Sequence, residues 1–339
     1  MNSIFAITDY QGYFESKGNA IPYNSGMDKR LLEKYFSEFD FQVIFIQFSE
    51  VINYSGDFWA DKPIIYTSSE DTDLHYKSFI EDIIYYLELC NARVIPSYKY
   101  LKANNNKVFM ELLNHQLNGC HNNKLKTRVF GSLEEATKAN NLFNYPLVFK
   151  KSAGGMSRGV GIAKNLEDLI RKLKKISRTP DYFREIWEFG RSLKYKGYKK
   201  ESKYRNKFIV QDLIDGLNGD YKVLIFGDKY YVLQRYVKKG DFRASGSGIR
   251  NFVKDIPEGL LEFARIFIKT LGVPNVSLDI AYNGGSFFLI EFRCLYFGSY
   301  TLTHSDFYWY KTEEGVFILR EGKSILEEVY ASSIVKFCI

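Results

Sequence analysis

Short apolar runs alternate with amphipathic stretches along this chain, and the alternation predicts most of its elements. Residues 42–48 (Gln-Val-Ile-Phe-Ile-Gln-Phe) and 63–66 (Pro-Ile-Ile-Tyr) are short, β-branched and aromatic, the composition of buried strands. Between residues 76 and 89, Phe79, Ile80, Ile83, Ile84 and Leu87 recur at helical spacing, and a further strand over 92–95 follows. Strand–helix–strand order favours a small α/β domain with a parallel sheet, closed at Pro96. A helix over 107–117 comes next. Ser132-Leu-Glu-Glu135 is a capping box that opens another helix, with Glu134 and Lys138 one turn apart, and Asn165 caps a third, with Asp168 three positions on. Residues 145–150 and 207–214 read as strands. Two hairpins lie further on, 221–226 with 229–235 around Gly227-Asp228, and 277–282 with 286–292 around Asn283-Gly-Gly285. Between them a helix starts near Pro257 and is closed by Gly272 and Pro274.

Composition narrows the class. At 339 residues the chain has room for about two domains. Its 17% aromatic content excludes disorder along the whole length and supplies a sizeable core. No apolar run approaches the ~18 residues that span a bilayer. Residues 1–13 hold Asp9 and lack the basic start and apolar stretch of a signal peptide, so a cytoplasmic location is expected. Cys90, Cys120, Cys294 and Cys338 show no CxxC spacing and no histidine at ligand spacing, which disfavours zinc and a disulfide scaffold. The net charge of +7 is concentrated: residues 171–207 carry fourteen Lys and Arg against four acids, or +10. Such a stretch attracts nucleic acid, anionic lipid or an acidic substrate. The plainer reading is a solvated helix with a basic loop, and no nucleic-acid-binding motif supports the first alternative.

Three segments carry chemistry. Gly154, Gly155, Gly159 and Gly161 follow a strand ending in Lys150-Lys151; glycine tolerates the φ > 0 that lets backbone N–H groups converge on an anion. The loop is neither a Walker A loop nor GxGxxG, and a plain turn accounts for it equally well. Asp279 and Glu291 each sit among apolar strand neighbours, where a lone carboxylate costs several kcal/mol unless it is paired or bound to metal. A three-residue loop at Asn283-Gly-Gly285 makes Asp279 diagonal to Glu291 on one face, a spacing that suits Mg²⁺. A two-residue turn slips the register by one and sends the acids to opposite faces. Salt bridges to nearby Arg and Lys are the alternative. Finally, Arg235 and Lys238-Lys-Gly-Asp-Phe-Arg243 precede a glycine/serine segment, pairing fixed positive charge with backbone donors able to close on a phosphoryl group.

Taken in order, these pieces resemble the ATP-grasp superfamily, most closely its RimK-like carboxylate–amine ligases, over about residues 96–303, and the run from Phe242 to Gly248 resembles a subgroup associated with bacterial surface-polysaccharide loci. The resemblance implies an α/β (α+β) ATP-grasp fold behind an N-terminal Rossmann-like domain. Its expected division is 1–96, then 97–207 with the basic insertion, then 208–339. It also implies ATP and Mg²⁺ as cofactors. Lys107, after Asn106, and Lys150 look like the phosphate-contacting lysines, and Gly154, Gly155, Ser157 and Gly159 like the flap over the phosphates. Gln211, Asp212, Leu213 and Ile214 match the hinge that reads adenine, with Asp212 where Glu is commoner. Asp220 and Lys222 resemble an Asp-x-Arg pair with Lys replacing Arg. Arg235 and Arg243 are similar to the arginines facing an acyl phosphate, and Asp279 and Glu291 fall on metal-ligand positions.

One departure stands out. The family usually shows Glu-x-Asn, and here the third residue is Arg293, a cation that cannot become a ligand. Either a metal is lost, Arg293 supplies its charge, or it recruits an acidic substrate. The implied activity is ligation of a small carboxylate to an amine through an acyl phosphate, with anionic substrates. A kinase using the same fold and a non-catalytic nucleotide-binding scaffold are the rival readings. A homodimer is an option on resemblance alone, since no interface stripe stands out.

Overall fold

A computed structural model describes residues 2–17, 26–117, 125–154 and 159–339; Gly155 and Ser157 of the glycine loop, and Cys120, lie outside the described residues. From the N-terminus come β1 (Asn2–Thr8), α1 (Lys29–Ser37), β2 (Phe41–Gln47), β3 (Pro63–Tyr66), α2 (His75–Leu89), β4 (Arg93–Ile95) and α3 (Tyr98–Ala103). Next are α4 (Lys107–Gln116), β5 (Thr127–Phe130), α5 (Leu133–Lys138), β6 (Leu147–Lys151), β7 (Val160–Ala163), α6 (Leu166–Ser177), α7 (Tyr182–Lys194) and β8 (Phe208–Asp212). The chain continues with β9 (Gly219–Phe226), β10 (Lys229–Tyr236), β11 (Arg250–Asn251), α8 (Leu260–Leu271), β12 (Asn275–Tyr282) and β13 (Phe287–Arg293). It closes with α9 (Tyr300–Thr303), β14 (Phe307–Lys311), β15 (Phe317–Glu321) and α10 (Leu326–Cys338). Two compact units result, one built from Met1–Asn104 and Leu217–Ile339, the other from Asn105–Gln116 and Lys124–Gly216.

In the larger unit, β2-β1-β3-β4 form a parallel sheet, as the strand–helix–strand pattern predicts. Its second strand from the edge, β1, is a continuous apolar run (Ile4, Phe5, Ala6 and Ile7 are all buried), the signature of a strand covered on both faces. Helix α1 turns Leu32, Tyr35 and Phe36 inward and is capped by Asp28, whose carboxylate accepts from Arg30 N and Leu31 N. Against it packs α10, from the far end of the chain. Ile4, Ala6, Leu32 and Phe36 therefore share one core with Leu224, Phe226, Val329 and Ile334. Glu327, buried at the start of α10, is compensated by Lys17 Nζ at 2.6 Å and Asp28 N at 2.9 Å. The second sheet of this unit is antiparallel, in the order β13-β12-β9-β10-β14-β15, with β11 paired to β10.

The smaller unit holds an antiparallel sheet, β5-β8-β6-β7. Leu133 and Ala136 of α5 and Leu169 and Leu173 of α6 pack on Leu147, Phe149, Phe208 and Val210. Both helix starts are as expected. Ser132 accepts from Glu135 N while the Glu135 carboxylate takes Ser132 N, and Asn165 accepts from Asp168 N at 2.9 Å.

Candidate functional site

In the smaller unit, α4 opens against the strand that ends in Lys150. Lys107 N donates to Ser152 O at 2.9 Å, Ser152 Oγ donates to Asn106 Oδ1 at 3.0 Å, and Gly154 N donates to Asn105 Oδ1 at 2.7 Å. The buried Lys107 side chain turns back so that Nζ donates to Gly154 O at 3.0 Å. Gly154 has φ 125, a conformation open to glycine, which explains a glycine here on backbone grounds. Lys150 is buried on β6, two residues before Ser152. The first lysine and the start of the glycine loop are thus one hydrogen-bonded assembly. Gly159 closes the far side of the loop, its carbonyl accepting from Lys151 N at 2.9 Å. On the central strand β8, Gln211 is buried and donates Nε2 to Thr127 Oγ1 at 2.8 Å; Asp212 ends the strand, and Leu213 and Ile214 follow it.

In the larger unit, strand register decides what faces what. Asp279 pairs directly with Glu291 and with Lys222 on the other side, Arg235 pairs with Asp220, and Ser277 pairs with Arg293. Directly opposed residues share a face, and so do residues two apart on one strand. Arg235, Asp220, Lys222, Ser277, Asp279, Glu291 and Arg293 therefore line one face of four adjacent strands, β10-β9-β12-β13. Val223, Leu278 and Ile280, of opposite parity, are fully buried. Neither register considered for the second hairpin occurs. The connection is four residues long, 283–286, and the pairing then shifts between Asp279 and Ile280, leaving Ile290 as an extra residue; together the two bring the acids directly opposite rather than diagonal.

Ion pairs fill this face. Arg235 Nε and Nη2 grip Asp220 at 2.6 and 2.8 Å, and Nη2 also reaches Asp279 Oδ2 at 2.9 Å. Lys222 Nζ donates to Ser277 Oγ at 2.9 Å and lies 3.6 Å from Asp279 Oδ1. Arg293 Nε donates to Glu291 at 3.0 Å, and its Nη1 to Glu70. Burial pushes the Asp279 carboxyl up, but Arg235 and then Lys222 more than offset it and hold it below the usual carboxylate range. Its partner across the same guanidinium, Asp220, is pushed up to about 6, by burial first and by the charge of Asp279. Arg243 belongs to another pairing: it binds Asp241 at 2.8 and 3.0 Å in the loop after β10 and is partly exposed.

A metal would have to be held by Asp279 and Glu291. Among the described residues, no group of three or more His, Cys, Asp or Glu side chains forms a metal-binding cluster. Yet Asp279 Oδ1 is buried and accepts no hydrogen bond among the described residues. Mg²⁺ is commonly held by one or two carboxylates, with substrate phosphates and waters completing the shell. Two opposed acids with one unbonded oxygen fit a single ion of that kind.

No protein-family description and no curated protein matches the sequence. Solved structures match along nearly all of it. A RimK domain ATP-grasp protein from Sphaerobacter thermophilus superposes with a TM-score of 0.52 at 12% identity, over 98% of this chain and 99% of that one. The Chryseobacterium gregarium RiPP-associated ATP-grasp ligase gives 0.53 at 12% identity, over 99% and 97%. The chain has the ATP-grasp fold. VanG D-Ala:D-Ser ligase from Enterococcus faecalis matches likewise, with a TM-score of 0.54 and 14% identity over 100% of both chains. Within this fold, two partners of the acidic face escaped sequence reasoning. Ser277 stands two residues before Asp279, so strand alternation could have found it. Glu70 lies 223 positions from Arg293, and no local signal points to it.

Proposed function

We propose that the chain is an ATP- and Mg²⁺-dependent ligase that activates a small carboxylate as an acyl phosphate and passes it to an amine. The observation that carries this reading is the directly opposed pair Asp279 and Glu291, with a buried Asp279 oxygen unbonded, inside an ATP-grasp fold. Ligases among the structural neighbours support it at the level of reaction class. Asp279 and Glu291 would hold Mg²⁺, which when bound supplies charge neutralisation to the nucleotide's phosphates. Lys107 and Lys150 bind phosphate oxygens, Lys107 exchanging the Gly154 carbonyl for one of them. By the same resemblance, Gly154, Gly155, Ser157 and Gly159 would cover the phosphates and exclude water. The backbone of Gln211, Asp212, Leu213 and Ile214 reads the adenine edge. Asp220 and Lys222 hold Arg235 and Asp279 in place, while Arg243 releases Asp241 and stabilises the transferring phosphoryl group, a contribution on the order of 10²–10³ in rate. Arg293, already on Glu291, supplies fixed positive charge where a second ion would otherwise sit. Arg235 and Arg293 on this face, with Arg243 in the loop after β10, favour an anionic substrate.

The test is ATP turnover with Mg²⁺ across a panel of carboxylates and amines, followed by phosphorus NMR. ADP, free phosphate and a new amide are expected, and a phosphorylated acceptor would instead identify a kinase. Lys150→Ala and Glu291→Ala should each abolish ADP release in a folded protein. Turnover retained in both variants overturns the site.

A further inference from the structure

Helix α7 is inside out. Its polar face is the one bonded to the flanking chain of the smaller unit: Glu188 is buried and accepts from Tyr198 Oη at 2.8 Å and Glu201 N at 3.1 Å. On the same side, Glu185 pairs with Arg178 and Lys203, and Arg184 with Glu201. Its apolar side chains point to water instead. Phe183 is 89% exposed, Leu193 73% and Ile186 71%, with Tyr182, Trp187 and Phe189 each more than half exposed. At 3.6 residues per turn these six cover an arc of about 160°, wider than a core-facing stripe requires. A contiguous exposed apolar face of this kind marks a binding surface.

Charge selects the occupant. Lys194 ends the helix, Lys196, Lys199 and Lys200 follow it, and none of the four has a carboxylate partner among the described residues; Lys194 leans on Tyr195 and Lys200 on Phe189. A second copy is disfavoured, because twofold pairing of this face would bring two +10 stretches together. We propose that α7 docks the protein on an anionic lipid surface, its apolar face entering the headgroup boundary and the four lysines meeting lipid phosphates and carboxylates. An amphipathic helix with aromatic residues on one side and a lysine cluster beside it has the two components such binding needs. At thirteen residues α7 is too short to span a bilayer, so it lies in the plane of the interface.

The proposal is independent of the ligase reading, and its test uses the full chain with vesicles of phosphatidylcholine, with and without phosphatidylserine. Co-sedimentation is expected only with the anionic vesicles and should weaken as salt is raised. Trp59 and Trp309 are buried, so a blue shift in tryptophan emission reports Trp187. The variant with Phe183→Glu and Ile186→Glu should lose binding at least roughly a hundredfold. Changing the four lysines to glutamine should cost on the order of 10²–10³-fold. Both variants alter exposed side chains, and unchanged melting curves would show that only docking was lost. No sedimentation with anionic vesicles at low salt, or undiminished binding in both variants, overturns the proposal. So does a face that proves to mediate only self-association, or only binding to an acidic protein.

Discussion

Replacing Arg235 by glutamine tests the charge logic of the acidic face most directly. Arg235 is largely buried and makes three short contacts, two to Asp220 and one to Asp279. Glutamine retains one amide donor group and no charge, so two buried carboxylates lose the cation they share. Stranding a buried charge in this way costs about 3–5 kcal/mol. Lys222, 3.6 Å from Asp279, softens the loss there, which leaves Asp220 as the main casualty. The sign with pH follows from linkage. Without Arg235 both carboxyls shift upward in the folded state. A group with a raised folded pKa contributes stability that is complete below its unfolded value of about 4 and is lost as pH rises through the folded value. Urea unfolding followed by circular dichroism should therefore show the deficit of Arg235→Gln already present at about pH 5, where the pairing of ionised Asp279 is lost, and larger at about pH 8, where the raised carboxyls must also ionise. A deficit below about 1 kcal/mol at the higher pH, or one that grows on acidification, would refute the reasoning.

Other predictions follow from single contacts. Burial pushes Glu15 up to about 8, against a partial offset from Tyr296 N donating at 2.7 Å. With the folded value raised, its stability contribution is present below 4.5 and lost as pH climbs to about 8. Glu15→Gln keeps the acceptor and cannot ionise, so its melting temperature should stay flatter over that window, and a parallel fall in both proteins would contradict the assignment. Arg293→Asn removes the cation from Glu291 and should shift the Mg²⁺ dependence of ATP turnover to roughly tenfold lower concentration; an unmoved titration curve would show that Arg293 does not oppose the ion. A Cβ on Gly161 would stand 2.4 Å from Cζ of the buried Phe149 ring. Gly161→Ala should thus cost about 1–3 kcal/mol in thermal or urea unfolding, and a neutral substitution would mean that the ring moves freely.

Much of the fold was legible because periodicity and caps are local. The strands 63–66 and 42–48, the helix over 76–89, the Ser132 box, the Asn165 cap and both hairpins stand within a residue or two of their expected places. Long-range pairing was not legible. Nothing local in α10 announces that it closes over α1, and no pattern within Asn2–Thr8 specifies that it becomes the strand joining β2 to β3. In the candidate site, the two acids were legible as charges in buried strands. Their facing was not, because a four-residue connection and one extra residue at Ile290 together set the register, and the turn sequence does not encode the bulge. Helix α7 shows the converse. Its apolar spacing is plain in the sequence, but periodicity reports that a face exists and is silent on whether protein or solvent meets it. The lysines around it favoured reading the whole stretch as solvated.

The same acidic face bears on how the proposed reaction would be ordered. Asp220, Asp279, Glu291 and Glu70 are matched by Arg235, Lys222 and Arg293, so the cluster is nearly neutral as it stands. A divalent cation arriving alone meets carboxylates that already have partners and must compete with fixed positive charge close by. A nucleotide arriving with it would change the balance, because its phosphates would offer new partners to Lys222 and Arg293, leaving Asp279 Oδ1, which is ion-paired with Lys222 but accepts no hydrogen bond, open to the ion. Ion and nucleotide would then favour each other's binding, and reciprocity requires such coupling to be equal in both directions. The salt bridges that would count against a metal site in an isolated pair of acids are, in this arrangement, the reason that metal and phosphate would enter together.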